Sequence, residues 1–268
     1  MMKLSSYHNH TTFCDGKNTP EEMILAAIER GCPEIGLSGH SPVGDHSYSM
    51  TPEGCFDYFN ELSRLREKYK NDIRVFIGIE EEYTSEPPTL SYDYIIGSVH
   101  MVRGGNEEFD VDHSVERTRL VVDKYYGGDP YSYCEAYYER VADVYNKTHC
   151  DIIGHFDLVT KFIEKDPLFS IDHPRYIKAR DEALKSLIAS PAVFEVNTGA
   201  IARGYRTEAY PDAFVLETLK NAGKPIVINS DSHRADTVDF MIDDVYESLS
   251  KKGMKICTSM NEILSFRK

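Results

Sequence analysis

The chain has 268 residues, 30 basic against 44 acidic side chains for a formal charge of −14, 41% hydrophobic residues, ten histidines, six cysteines and no tryptophan. This composition excludes collagen-like, low-complexity and disordered classes, and no apolar run approaches the roughly 18 residues of a membrane span. The acidity, with no cluster of Lys and Arg, argues against nucleic-acid binding, because phosphate backbones are held by such clusters.

The first residues, MMKLSSYHNHTTFCDG, lack the apolar stretch of a secretory signal, so a cytoplasmic location is expected. Ser6-Tyr7 leads into His8-Asn9-His10. Thr19 with Pro20 and Glu22 forms a capping box that opens a helix expected to end at Arg30, before Gly31. Further helical patterns cover 56–70, 132–147, 173–189, 211–222 and 238–252. Between them lie β-rich runs at Glu34–Leu37, Ile73–Ile79, Tyr92–Val99, Asp151–Ile153, Val193–Val196 and Pro225–Ile228. Such alternation implies parallel βαβ units, and the length suits one α/β barrel domain over 1–268, since barrels commonly use about 200–250 residues. Residues 101–114, MVRGGNEEFDVDHS, carry no clear pattern and read as an active-site loop, with a floppy surface excursion as the bland alternative. Cysteines 14, 32, 55, 134, 150 and 257 form no close pair and are expected as reduced, mostly buried thiols.

The residues at the strand exits are more informative. The runs lead into His8 and His10, His40, Glu80, His100, His155, Asn197, and Asp231 with His233. Alternation along a strand puts His8 and His10 on one face, and likewise Asp231 and His233, so each pair can grip one ion. In a closed parallel barrel all the carboxyl ends converge on one face. A single histidine after a strand is more often a hydrogen-bonded structural residue, but burying so many together is costly unless they bind metal. Glu81 and Glu82 compete with Glu80, although the alternation through Gly78 turns Glu80 inward. His46, His113, His149 and His173 miss the strand exits and read as surface or supporting residues.

With those motifs in place, the sequence resembles the PHP family of metallophosphoesterases, and within it the histidinol-phosphatase branch. The carrying segments are H-N-H at 8–10 with Asp15 just beyond, S-G-H at 38–40, G-I-E at 78–80, G-S-V-H at 97–100, G-H-F-D at 154–157 and S-D-S-H at 230–233. The resemblance implies a distorted seven-stranded TIM-like barrel with up to three divalent ions at its carboxyl end. It places His8, His10 and Asp231 on the first ion, Glu80 bridging to a second held by His100 and His155, and Asp15, His40 and His233 on the third. It further implies hydrolysis of a phosphate monoester, most readily L-histidinol phosphate, by in-line attack of a metal-bridging hydroxide, with another small phosphoester such as a nucleotide as the alternative. Imidazole-rich sites suit Zn²⁺, Mn²⁺ or Fe²⁺ better than Mg²⁺ or Ca²⁺. The catalytic set on this reading is Asp231, His233 and Glu80, with the leaving alkoxide protonated by Asp231, His233 or a metal-bound water. Arg203 and Lys161 are candidate phosphate clamps, with Asn197 beside them and Arg206 and Arg103 as alternatives. The substrate's amine and imidazole would want an acidic partner, for which Glu81, Glu82 and Asp157 are considered. Cys14, beside Asp15, has no identifiable base and is not read as a nucleophile.

Overall fold

The structure, a computed structural model, describes residues 3–44 and 47–267. Its elements run α1 (Pro20–Glu29), β1 (Glu34–Leu37), α2 (Pro52–Lys68), β2 (Arg74–Glu82), β3 (Tyr94–Ser98), β4 (Met101–Gly104), β5 (Glu107–Asp110), α3 (Val115–Tyr125), α4 (Pro130–Thr148), β6 (Ile152–Ile153), α5 (Pro174–Ile188), β7 (Val193–Asn197), α6 (Gly199–Ala202), α7 (Ala213–Asn221), β8 (Ile226–Asn229), α8 (Ile242–Lys251) and α9 (Met260–Leu264). Six strands form one parallel sheet in the order β1-β2-β3-β6-β7-β8, with helices in every crossover but that from β2 to β3, where residues 83–93 run without one.

Alternation along these strands builds two apolar layers. Ile77 and Ile79 of β2 pack in a cluster with Met23, Ile24, Leu62 and Leu65 of α1 and α2. Phe194, Val196, Ile226 and Ile228 join residues of α4, α5 and α7 in another. The opposite side chains, Tyr94, Ile96, Ile152, Val193 and Val227, pack together with Tyr7 on the concave face. Gly36 and Gly78 make room for the Tyr94 ring: a Cβ at Gly78 would lie 2.2 Å from its Cζ, and one at Gly36 2.3 Å from its hydroxyl oxygen. That hydroxyl donates to the Tyr7 carbonyl, fixing the apolar plug beneath the polar end of the sheet.

The two sheet edges are joined through the N-terminal segment. Gly36 and Ser38 donate to the carbonyls of Ser6 and Asn9 on the β1 side. On the β8 side, His10 N–H donates to Ser232 O, Ser232 N–H to His8 O, and Tyr7 N–H to Asn229 Oδ1. Asn9 and Ser232 make an isolated parallel bridge.

Several elements differ from the sequence expectation, the unexpected short helices α6 and α9 among them. Within residues 101–114, expected as a loop, 101–110 form a hairpin: β4 and β5 pair antiparallel, with Met101 opposite Asp110 and the turn at Gly105, whose φ of +64° suits glycine, while 111–114 stay without regular structure. Helix α3 was not expected; Ser114 caps it by accepting from Arg117 N–H. Helix α2 begins at Pro52, ahead of the expected 56, because Thr51 caps it and Pro52 occupies its first turn. Among the described residues no helix is long and apolar enough to cross a membrane, and all six cysteines are free, with every one but Cys14 buried.

Candidate metal centre

Glu80 turns inward from β2, as the alternation predicts, and is 1% exposed. Imidazoles from four other segments surround it. His40 Nδ1 lies 2.9 Å, His8 Nε2 3.1 Å and His10 Nε2 3.4 Å from Oε2. His155 Nε2 lies 2.9 Å and His100 Nε2 3.4 Å from Oε1, which also accepts from Ser98 Oγ at 2.7 Å. Asp231, just past β8, brings Oδ1 to 3.3 Å from His10 Nε2 and 3.8 Å from His8 Nε2. Asp15 faces His233 Nε2 at 3.3 Å, His40 Nε2 at 3.7 Å and His10 Nδ1 at 3.9 Å.

The nine residues that the resemblance implies as ligands therefore meet. Their donor atoms form overlapping sets, each within 4.8 Å: His8, His10 and Asp231; His8, Glu80 and His155; His40, Glu80 and His100; and His10, Asp15, His40 and His233. Hydrogen bonding alone does not explain them. His8 Nε2, His10 Nε2, Asp15 Oδ1 and Glu80 Oε2 are buried with no hydrogen-bond partner, an expensive condition for atoms that could have faced water. Divalent cations among them would satisfy all four, and the imidazole–carboxylate mixture suits borderline ions.

The electrostatics favour added positive charge. Burial by itself would raise the Glu80 carboxyl, but His8, His40 and His100 hold it well below the usual carboxylate range. Asp231 is held down in the same way, against its burial, by Arg203 and His8. Burial, with His233 and His40 close by, pushes His10 down to about 3, leaving a neutral ring with a lone pair to offer. His100 moves the other way, up to about 10, because Glu80 and Glu82 outweigh its burial. Protons and metal ions compete for such nitrogens.

Behind the cluster stand groups that strand-end reading did not find. Glu195 of β7, completely buried, lies 2.7 Å from His8 Nδ1 through Oε1 and accepts from His155 N–H at 2.8 Å through Oε2. Its signal was a carboxylate in the middle of the apolar run Val193–Val196, two residues before Asn197 and so on the same strand face. Glu82 is no rival of Glu80: its Oε2 lies 2.9 Å from His100 Nδ1 and accepts from His100 N–H at 2.7 Å. Cys14 Sγ lies 3.5 Å from His10 Nδ1, and burial raises its thiol to about 11, which agrees with its exclusion as a nucleophile.

The cluster opens into a cavity of about 260 Å³, bounded also by Arg203, Lys161, Tyr48, Tyr205, Asp110 and Asp112. Arg203 grips Asp231, its Nη1 donating to the carbonyl and its Nη2 to Oδ2, both at 2.9 Å. Lys161 donates to Asp112 O and Oδ2, both at 2.9 Å. Asn197, expected near phosphate, is fully buried away from the cavity, its amide nitrogen given to Glu195 Oε2 and Asp231 Oδ2. Arg206 donates to Thr160 Oγ1, and Arg103 to Gly105 O on the hairpin; neither bounds the cavity. Glu81, Glu82 and Asp157 do not bound it either, Asp157 accepting from Asp212 N–H; the carboxylates on the far wall are Asp110 and Asp112. His113 also reaches the wall, His149 is the left-handed cap of α4 and His173 caps α5, while His46 lies outside the described residues.

Fold and site together define an α/β protein with a cluster of imidazoles and carboxylates suited to metal ions at the carboxyl ends of parallel strands. Residues 6–199 match the family model described as PHP domain, and the chain belongs to that family. The probable histidinol-phosphatase of Schizosaccharomyces pombe is 28% identical over 87% of this chain and 81% of its own length. The histidinol-phosphatase of Bacillus subtilis is 24% identical over 89% of this chain and 97% of its own. A crystal structure of histidinol phosphate phosphatase from Lactococcus lactis, complexed with Zn, L-histidinol and phosphate, shares the fold with a TM-score of 0.70 at 21% identity, covering 96% of each chain.

Proposed function

We propose that this chain is a histidinol-phosphatase: a metal-dependent phosphate-monoester hydrolase that converts L-histidinol phosphate and water to L-histidinol and inorganic phosphate. It would do so in the cytoplasm, as one PHP-type barrel domain over residues 1–268, with residues 5–10 as a seventh stave between β8 and β1. The observation that carries the reading is Glu80, buried at the meeting point of five imidazoles, with unpartnered donor atoms on several of them. The names of relatives matched along most of their length support the substrate.

On this reading His8, His10 and Asp231 hold one ion, His100 and His155 a second that shares Glu80, and Asp15, His40 and His233 a third. Zn²⁺, Mn²⁺ or Fe²⁺ suits the donors, and zinc is the ion named with the Lactococcus lactis relative. Such ions lower the pKa of water and neutralise phosphoryl oxygens as a P–O bond forms and the ester P–O bond breaks. The protein's own part is positioning. Arg203, held by Asp231 through Nη1 and Nη2, lines the cavity, where its guanidinium would meet a phosphate oxygen. Lys161 brings a second positive charge, held in place by Asp112. Asp110 and Asp112 give the far wall the negative character that an ammonium or imidazolium group would seek. Of the expected proton donors to the leaving alkoxide, Asp231 is held ionised by Arg203 and His8, which leaves His233, at the wall of the same cavity, or a metal-bound water for that role.

The test is phosphate release from L-histidinol phosphate by purified protein, before and after chelation, beside a panel of nucleotides and sugar phosphates. The reading expects fast, chelator-sensitive release with strong preference for histidinol phosphate. Equal or better turnover of a nucleotide would overturn the substrate, and absence of turnover on the whole panel would overturn the activity.

A further inference from the structure

We infer that Glu195 is a positioning residue that sets the tautomer of His8 and ties three metal ligands from three separate segments into one rigid unit. The inference rests on the reading of His8, His155 and Asp231 as ligands.

Four donors converge on this single carboxylate, two on each oxygen. Oε1 faces His8 Nδ1 at 2.7 Å and accepts from Asn229 Nδ2 at 2.9 Å. Oε2 accepts from the His155 backbone N–H at 2.8 Å and from Asn197 Nδ2 at 3.0 Å. The orientation of both amides is fixed independently. Asn229 Oδ1 accepts from Tyr7 N–H and Asn197 Oδ1 from Gly199 N–H, so the NH₂ end of each side chain can only be the one that meets Glu195. A carboxylate with no solvent exposure and all its lone pairs aimed at donors is satisfied only when ionised.

The consequence falls on His8. Its Nδ1 meets the closer acceptor, so the neutral ring that a metal ion requires keeps its proton there and has its lone pair on Nε2. That Nε2 is the buried atom without a hydrogen-bond partner, 3.1 Å from Glu80 Oε2 and 3.8 Å from Asp231 Oδ1. Glu195 thus aims the lone pair into the centre, as metal-bound imidazoles are commonly aimed by a carboxylate on the far nitrogen. Through His155 N–H it also fixes the backbone that carries a second ligand. Through Asn197, whose Nδ2 reaches Asp231 Oδ2 at 3.3 Å, it reaches a third.

A glutamine at this position has one acceptor oxygen and one NH₂. Whichever way it turns, the NH₂ faces two donors, so Glu195→Gln is a disruptive change despite its matching shape. The experiment measures Zn²⁺ affinity of purified Glu195→Gln by competition with a chelator of known affinity. It also measures the urea midpoint of the metal-free protein and steady-state kinetics with and without excess Zn²⁺. The expected result is about 10–100-fold weaker zinc binding, KM for substrate within about twofold of wild type, and kcat restored by excess Zn²⁺. Glu195→Asp, which keeps the charge but draws it away from His8, is expected to weaken zinc in the same direction and serves if the glutamine variant fails to fold. Unchanged zinc affinity in a folded variant, whether or not its metal-free stability falls, would overturn the inference. Because zinc is read without substrate, weakened binding beside absent phosphatase turnover would leave this inference standing and sink the proposed substrate instead.

Discussion

Glu80 approaches His8, His10 and His40 through one oxygen and His100 and His155 through the other, so it is the carboxylate that touches imidazoles from four segments at once. Glu80→Ala is therefore expected to lower bound metal and to cut kcat by at least about 100-fold; full metal content with normal turnover, by elemental analysis and phosphate assay, would refute the assignment. The two cavity cations should separate in kinetics. Each is paired with a carboxylate, Arg203 with Asp231 and Lys161 with Asp112, but a planar guanidinium can meet phosphate with two N–H groups where an ammonium gives a point charge. Arg203→Ala is expected to lower kcat/KM by about 10²–10³-fold, and Lys161→Ala by about tenfold, with metal content retained in both. Eight of the nine proposed metal donors were legible in the sequence because each follows a strand candidate; Asp15, in a turn beyond His10, was reached only through the family resemblance. The cavity wall was not. Asp110 and Asp112 reach it on a hairpin that pairs with itself rather than with the main sheet, and Asn197, a strand-end residue like the rest, is drawn inward by Glu195 and Asp231. Position along a strand tells which face a side chain takes; it does not tell whether a neighbouring carboxylate has already claimed it.

Individual elements carry constraints of their own. On β2 the inward positions are Gly78, Glu80 and Glu82, and the first exists to admit the Tyr94 ring from β3 beside it. Gly78→Ala is expected to cost about 3 kcal/mol in a urea unfolding measurement, and shortening the partner in Gly78→Ala/Tyr94→Leu should recover part of that loss, since the two sites share one space. Independent effects of the two changes would contradict this packing. The contact between α4 and α5 offers a pH test. Asp129 caps α4 by accepting from Tyr131 N–H and pairs with Arg175 of α5; that pairing and the Ser132 hydroxyl lower its carboxyl from 3.8 to about 2. A depressed carboxyl adds stability that is present above its unfolded value and disappears as pH falls through the folded one. Asp129→Asn keeps the cap but not the charge, so its urea midpoint should lie slightly below wild type at pH 6, the gap narrowing below pH 3.8 and closing near 2. The metal-free protein is the sample of choice, because acid would otherwise strip the ions; a gap constant with pH would count against the pair. Most strands and helices were readable because the apolar period switches between two and 3.6 along the chain. The β4–β5 hairpin escaped because its strands are only four residues long and β5, Glu107–Asp110, is almost wholly polar.

At the scale of the molecule, the N-terminal segment joins β1 to β8 through a handful of backbone bonds, while the same segment carries His8 and His10 to Asp231. The closing seam and one proposed ion site are thus the same place. Ions that bind only the folded chain stabilise it by mass action, about 2.7 kcal/mol per site when free metal is a hundredfold above its dissociation constant. For a chain of this size that is worth about 5–10 °C in Tm per site. Chelation should therefore lower Tm by at least that amount, but the effect should also be local. The apolar plug of Tyr7, Tyr94, Ile96, Val193 and Val227 packs on the concave face of the sheet whether or not metal is bound. The amides of His10, Ser38 and Ser232, which close the seam, have only their single carbonyl partners. Hydrogen exchange tracked by mass spectrometry should show these amides speeding up by about an order of magnitude or more on metal removal, while β3 and β7 change little. Uniform acceleration across the sheet would mean that the ions stabilise the fold without clasping the seam, and no acceleration at residues 8–10 would place the metal elsewhere.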